Sequence, residues 1–126
     1  MRRISALLGL GLALTTACGM SDATSPSSSL EGTYSLRSIN GAALPYRFPT
    51  GLQLTSETLT LRSDGLYNDI GRYNDGSTTT EVGFYTAANN AITFNDQTDN
   101  FVYQGSISGN VLTQITNGFT AVYQKN

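Results

Sequence analysis

The sequence lacks histidine and tryptophan altogether, and it contains a single cysteine. Without histidine, the chain has no side chain whose unperturbed pKa suits proton transfer near neutral pH. With one cysteine, it cannot form a disulfide within itself. No serine lies in a Gly-x-Ser-x-Gly elbow with the partners of a catalytic triad. We therefore predict a protein that is not an enzyme.

Charged residues are also few, at 13% of the chain, with 7 basic and 9 acidic side chains. The basic residues form no patch, so the sequence lacks the electrostatic footprint of a nucleic-acid-binding protein. The glycines open no helix after a strand, which leaves a phosphate-cradling loop unsupported. Residues 95–100, NDQTDN, offer oxygen ligands without the spacing of an EF-hand loop, and we predict a solvated loop there. We expect no nucleic acid, no cofactor and no metal.

The first 17 residues have the pattern of a targeting segment. Their apolar run is shorter than the roughly 20 residues that a helix needs to cross a bilayer. Arg2 and Arg3 precede an apolar stretch from Ile4 to Leu14, and small residues follow it. A basic start, a short apolar segment and small residues at the cleavage point are typical of a secretory signal peptide. We assign residues 1–17 to this signal.

The only cysteine, Cys18, ends the sequence Leu-Thr-Thr-Ala-Cys. These residues resemble the lipobox of bacterial lipoproteins, in which the cysteine is lipidated and becomes the first residue of the mature protein. The resemblance implies lipidation of Cys18, export to the cell envelope and anchoring to a membrane. Gly19 follows in place of the aspartate that suggests inner-membrane retention, which favours the outer membrane if the bacterium has two membranes.

A linker separates this cysteine from the rest of the chain. Residues 19–29, GMSDATSPSSS, are small, polar and rich in serine, so they have too little apolar surface to fold alone. With Cys18 they form a predicted tether over residues 18–29, with a root-mean-square reach of roughly 17–20 Å. Residues 30–126 show no second change in composition and suit one domain with a modest core.

Residues 30–126 show no helical periodicity. Alternating apolar and polar residues are interrupted by turn signals about every 8–12 residues, as in all-β sandwiches and barrels. The pattern predicts eight strands, over residues 32–38, 51–62, 66–73, 78–85, 91–94, 101–107, 111–115 and 119–124. The second strand changes parity near Ser56 and Glu57, where a β-bulge would return its leucines to one face.

Short turns between these strands favour antiparallel pairing of sequence neighbours. We therefore predict an all-β fold, an eight-stranded antiparallel up-and-down meander barrel. Pairing of the last strand with the first would leave no exposed edge. A β-sandwich is the alternative architecture. Pro45 and Pro49 remove ladder donors and place residues 42–49 in a loop.

Three stretches resemble small bacterial lipocalin-like lipoproteins: LEGTYSL at 30–36, SETLTLRSDG at 56–65 and GSISGNVL at 105–112. Gly32-Thr33-Tyr34 is similar to the Gly-x-Trp that opens the first lipocalin strand, with tyrosine in place of tryptophan. Lys125 corresponds to the basic residue that covers this ring from the last strand. The resemblance implies a lipocalin-like barrel over residues 30–126.

An eight-stranded barrel is either filled by side chains or holds one small ligand. Apolar members of the predicted inward faces are the candidate ligand-lining residues. They are Tyr34, Leu36, Leu59, Leu61, Val82, Phe84, Ile92, Phe94, Phe101 and Tyr103. Two functions remain open. The first is a membrane-anchored envelope lipoprotein that binds a small apolar ligand, and the second is a structural or protein-interaction lipoprotein with a filled barrel.

Overall fold

The computed structural model describes residues 30–126, so the predicted signal peptide, Cys18 and the linker lie outside the described residues. The described part of the chain forms ten strands. They are β1 (Gly32–Ile39), β2 (Ala42–Ala43), β3 (Tyr46–Arg47), β4 (Gln53–Leu61), β5 (Leu66–Tyr73), β6 (Thr78–Ala88), β7 (Ala91–Asp96), β8 (Phe101–Ser108), β9 (Val111–Thr116) and β10 (Phe119–Lys125). Over residues 30–126 we find no helix with the length and apolar character needed to cross a membrane.

Eight of these strands form the closed antiparallel barrel that the sequence predicts. From β4 to β10, each strand pairs with the next one along the chain. β10 then pairs with β1, and β1 pairs with β4, which closes the sheet on itself. The meander and the pairing of the last strand with the first are confirmed, and the sandwich alternative is wrong.

The segment between β1 and β4 is more ordered than the predicted loop. The short β2 pairs with the end of β1, and the short β3 pairs with the start of β4. The backbone N–H of Phe48 donates to the carbonyl of Leu52, and that of Gly51 donates to the carbonyl of Phe48, at 2.8 Å each. This turn brings Phe48 over one end of the barrel, where it packs on Tyr73 and Phe119.

The predicted irregularity in the second long strand is a register shift between Leu54 and Ser56 of β4. The shift falls at Thr55, whose hydroxyl donates a hydrogen bond to the Arg72 carbonyl at 3.0 Å. Because of it, the leucines on both sides of the shift are buried. The same shift turns Glu57 toward the barrel interior.

Side chains fill the barrel at the end where β1 begins. They include the fully buried Tyr34, Leu59, Leu61, Tyr67, Ile92, Phe94 and Leu112. Phe94 meets Tyr67 edge-on and stacks on Tyr103, with ring centroids 5.1 and 5.0 Å apart. Leu30 covers this end, and its carbonyl accepts a hydrogen bond from the Tyr34 hydroxyl at 2.7 Å. We call this the filled end.

Two glycines let the strands curve around this packing. A Cβ at Gly83 would lie 2.1 Å from the carbonyl oxygen of Asn95, and one at Gly105 would lie 2.3 Å from that of Thr113. These distances are well inside van der Waals contact, so any side chain at either position would push neighbouring strands apart. Glycine at both positions therefore allows the tight closure of the barrel.

Candidate functional site

The other end of the barrel is open and contains a cavity with a volume of about 510 Å³. Its lining includes the last residues of β5, β7 and β9 and the first residues of β8 and β10, all of which lie far from Leu30. Small-molecule sites are commonly about 300–1,000 Å³. The barrel is thus filled at one end and has a cavity of ligand size at the other.

Five carboxyl side chains line this cavity from adjacent strands, and we call them the acidic wall. They are Glu57 of β4, Asp69 of β5, Glu81 of β6, Asp96 of β7 and Asp99 of the loop that follows. Asp69 and Glu81 are direct cross-strand partners. Five of the eight acidic residues between 30 and 126 therefore lie here, whereas none of the five basic residues in that range lines the cavity.

Tyr123 reaches two members of the acidic wall from β10. Its hydroxyl donates a hydrogen bond to the Glu57 carboxylate and lies 3.3 Å from Oδ2 of Asp69. Oδ1 of Asp69 has no hydrogen-bond partner within residues 30–126, although Asp69 is only 7% exposed. The side-chain nitrogen of Gln114 on β9, a residue only 5% exposed, lacks a partner in the same way. Buried polar groups are nearly always hydrogen-bonded, so both atoms are available to a ligand.

Hydrogen bonds fix the loop after β7 at the mouth of the cavity. Oδ1 of Asp96 accepts the backbone N–H groups of Thr98 and Asp99, at 2.8 and 3.3 Å. The Thr98 hydroxyl in turn accepts the backbone N–H of Val82 at 3.0 Å. Carboxylate oxygens of Glu81, Asp96 and Asp99 consequently lie within 4.8 Å of one another.

The solvated loop predicted for residues 95–100 is therefore wrong for Asp96, whereas Asp99 is exposed as predicted. Asp96 is only 2% exposed, because it lies on the inward face of β7. Asp99 lines the cavity from the loop. The acidic residues of this stretch thus belong to the site.

Burial and like charges raise the pKa values of two members of the acidic wall. Burial raises the pKa of Asp69 well above its ordinary value, and the charge of Glu57 acts in the same direction. Burial likewise raises the pKa of Glu81 to about 7, and the charges of Asp96 and Asp99 add to this effect. The hydrogen bond from Tyr123 lowers the pKa of Asp69 but does not outweigh these effects, and none of the five basic side chains of residues 30–126 lines the cavity.

Four aromatic rings in mutual contact lie at the mouth of the cavity, three of them in its lining, and we call them the rim cluster. They are Tyr46, Phe48, Tyr73 and Phe119. The ring centroid of Phe48 lies 5.1 Å from that of Tyr46 and 6.4 Å from those of the other two. The site therefore combines an aromatic mouth with an acidic interior.

The structure divides the predicted ligand-lining residues among three places. Phe101 and Tyr103 line the cavity. Six others belong to the buried core and do not line it; they are Tyr34, Leu36, Leu59, Leu61, Ile92 and Phe94. Val82 and Phe84 are 47% and 50% exposed, so the prediction that they face inward is wrong.

The faces of β6 are assigned by its pairing with β5, where the buried Tyr67 lies opposite Gly83. Residues of the same parity as Gly83 therefore face inward, including Glu81 and Tyr85. The Tyr85 hydroxyl is satisfied there because it donates a hydrogen bond to the Arg62 carbonyl. Val82 and Phe84 lie on the outer face, where they border a separate pocket of about 250 Å³.

At the filled end, Lys125 is the cross-strand partner of Tyr34 and lies beside Gly32.

Comparison of the chain with models of protein families gives no match. No curated protein and no solved structure matches it either.

Proposed function

We propose that this chain is a lipid-anchored, lipocalin-like protein of the bacterial cell envelope that binds one small molecule and is not an enzyme. The cavity supports this proposal most directly. It is open at one end, has a volume of about 510 Å³ and is lined by buried polar atoms that have no partner among residues 30–126. Small-molecule sites are typically concave, with apolar surfaces for affinity and a few polar groups that orient the ligand.

The polar groups in the lining favour an amphipathic ligand over a purely apolar one. Burying about 200 Å² of apolar ligand surface contributes roughly 5 kcal/mol. The cost of association is of similar size, so burial alone gives weak binding. Polar contacts with Asp69 and Gln114, whose buried atoms lack partners, would supply the additional affinity.

The anchor in this proposal comes from the sequence. The lipobox-like residues before Cys18 and the serine-rich tether after it support attachment of the barrel to a membrane. Gly19 favours the outer membrane in a two-membrane envelope. The lipid would keep the binding domain at the membrane surface.

Titration of the purified full chain with the neutral fluorescent dye Nile red tests the binding function. We expect saturable binding by the wild-type chain. The variant Ala121→Trp places an indole in the cavity, which Ala121 lines, and should abolish binding. The matched control Val102→Trp adds the same group to the outer face of β8, where Val102 is 56% exposed, and should bind normally.

Two results would contradict the binding function: no saturable binding by the wild-type chain, or equal binding by the two tryptophan variants. Either would favour the alternative of a structural or protein-interaction lipoprotein. Circular dichroism of both variants, compared with the wild type, checks that each retains the barrel.

A further inference from the structure

We propose that the ligand of this cavity is a small organic cation, an amine with an apolar body. Its protonated nitrogen would lie against the acidic wall, and its body would lie among the rings of the rim cluster. This inference rests on the proposed function, because it names the ligand class of the same cavity.

The charge distribution is the first argument. Five carboxyl groups line the cavity and no lysine or arginine does, although residues 30–126 contain five basic side chains. Buried carboxylates are stable when a positive charge or hydrogen-bond donors compensate them. An ammonium group supplies both, whereas an anion would add to the repulsion and an apolar molecule would leave it unchanged.

Two unpartnered atoms are the second argument, and they indicate what the ligand carries. Oδ1 of Asp69 lies in the lining without a hydrogen-bond donor, and an ammonium group has donors to give. The Gln114 nitrogen has donors without an acceptor, which suits a hydroxyl or carbonyl on the same ligand. Tyr103 and Tyr123 also line the cavity, and aromatic faces attract organic cations.

The same observations favour an organic cation over a bare metal ion. Calcium takes six to eight oxygen ligands. Within residues 30–126, the carboxylates near enough to one another to share an ion come from three residues, and Oδ1 of one of them, Asp96, already accepts two hydrogen bonds. Asp69, which has the unpartnered oxygen, is not in this group. A single ion would also leave most of the cavity of about 510 Å³ unused.

Three probes with one body and different head groups test the inference by calorimetry with the full chain. They are phenylbutylamine, phenylbutanol and phenylbutyrate, which carry a positive, a neutral and a negative group. At about pH 8, where Glu81 is mostly ionised, the amine should bind about tenfold or more tightly than the alcohol, and the carboxylate should bind most weakly.

Isosteric variants locate the effect. Asp69→Asn and Glu81→Gln should each reduce the preference for the amine over the alcohol by about tenfold. Glu31→Gln is the matched control, because Glu31 precedes β1 at the filled end and does not line the cavity. This control should keep the wild-type preference.

The possible failures are distinguishable. If Nile red binds but the amine binds no better than the alcohol, the ligand class is wrong and the binding function stands. If neither the dye nor any of the three probes binds, both proposals fail. Saturable binding of calcium chloride without any preference for the amine would identify a metal site and overturn the inference. An amine preference that survives both isosteric variants would also overturn it, because the charge would then come from elsewhere.

Discussion

Replacing Glu81 with glutamine should stabilise the protein at alkaline pH and leave it nearly unchanged at acidic pH. In the barrel, the pKa of Glu81 is about 7, above its ordinary value of 4.5. The folded state therefore prefers the protonated side chain. Its contribution to stability is fully present below about pH 4.5 and is lost as the pH rises through about 7. Glutamine resembles the protonated form at every pH.

The pKa shift sets the size of the effect. A shift of this size corresponds to about 3 kcal/mol for a fully buried group. Glu81 is only half-buried at the cavity wall, and solvent screening reduces the expected difference to about 1–2 kcal/mol. Asp69 has a raised pKa for the same reason, so the variant should retain part of the wild-type pH dependence.

Urea denaturation of the full chain, followed by circular dichroism at about pH 5 and about pH 8, measures this difference. We expect the wild-type chain to lose stability between these values and the Glu81→Gln variant to lose less. Glu31→Gln serves again as the control for removing one negative charge. A wild-type chain that is more stable at the higher pH, or a Glu81→Gln variant no more stable there than the control, would refute the reasoning.

Three other predictions concern the anchor, the closure and the core. Replacing Cys18 with serine should move the protein from the membrane fraction to the soluble fraction without unfolding the barrel, as fractionation and circular dichroism would show. Ending the chain after Gly118 removes β10, the partner of both β1 and β9, and should abolish cooperative thermal unfolding. Phe94→Ala should lower the free energy of unfolding by about 3–5 kcal/mol, because this ring is fully buried. Phe84→Ala, on the outer surface, should change it by only about 0.5 kcal/mol.

Each of these has a clear contrary result. A serine variant that stays in the membrane fraction would show that the anchor is elsewhere. A truncated chain that unfolds cooperatively at a similar temperature would show that closure is dispensable. Equal losses of stability for the two phenylalanine variants would mean that Phe84 is as buried as Phe94.

The barrel was predictable because the features that specify it, the turn residues and the alternation within each strand, are local in the sequence. Turn residues separate the strands at short intervals, and short turns leave antiparallel pairing of neighbours as the simplest arrangement. The irregularity in β4 was predictable for the same reason, since two leucine pairs of opposite parity need an extra residue between them. The two short strands between β1 and β4 were not predicted, because each consists of only two residues, which is too short for an alternating pattern, and Pro45 lies between them.

The acidic wall was missed because inward positions were chosen by apolar character. Apolar character identifies inward residues where the barrel is filled by side chains. It does not identify them where the inner face surrounds a cavity, because polar side chains can line that cavity. On β6 it selected Val82 and Phe84 instead of Glu81, and so reversed the faces of the strand. Glu57 was passed over for the same reason. It has the same parity as the inward Leu59 and Leu61, but its side chain is not apolar.

A signal for the acidic wall was nevertheless present in the sequence. Acidic residues are depleted in strands. Four of the five members of the acidic wall lie within strands rather than in turns. Asp69 also has the same parity as the aromatic Tyr67, which was a sign that it faces inward.

The filled end is where the preceding chain joins the barrel, and this fixes which end of the domain faces the tether. Leu30 covers that end, so the chain enters the barrel on the side opposite the aromatic mouth. A tether joined to Cys18 would therefore hold the barrel by its closed base, with the opening turned away from the bilayer. If Cys18 carries the proposed lipid, a linker of roughly 17–20 Å would let the domain tilt while its base stayed the point of attachment. In such an arrangement the cavity would open toward the aqueous compartment above the membrane, and its ligand would arrive from solution rather than by extraction from the lipid.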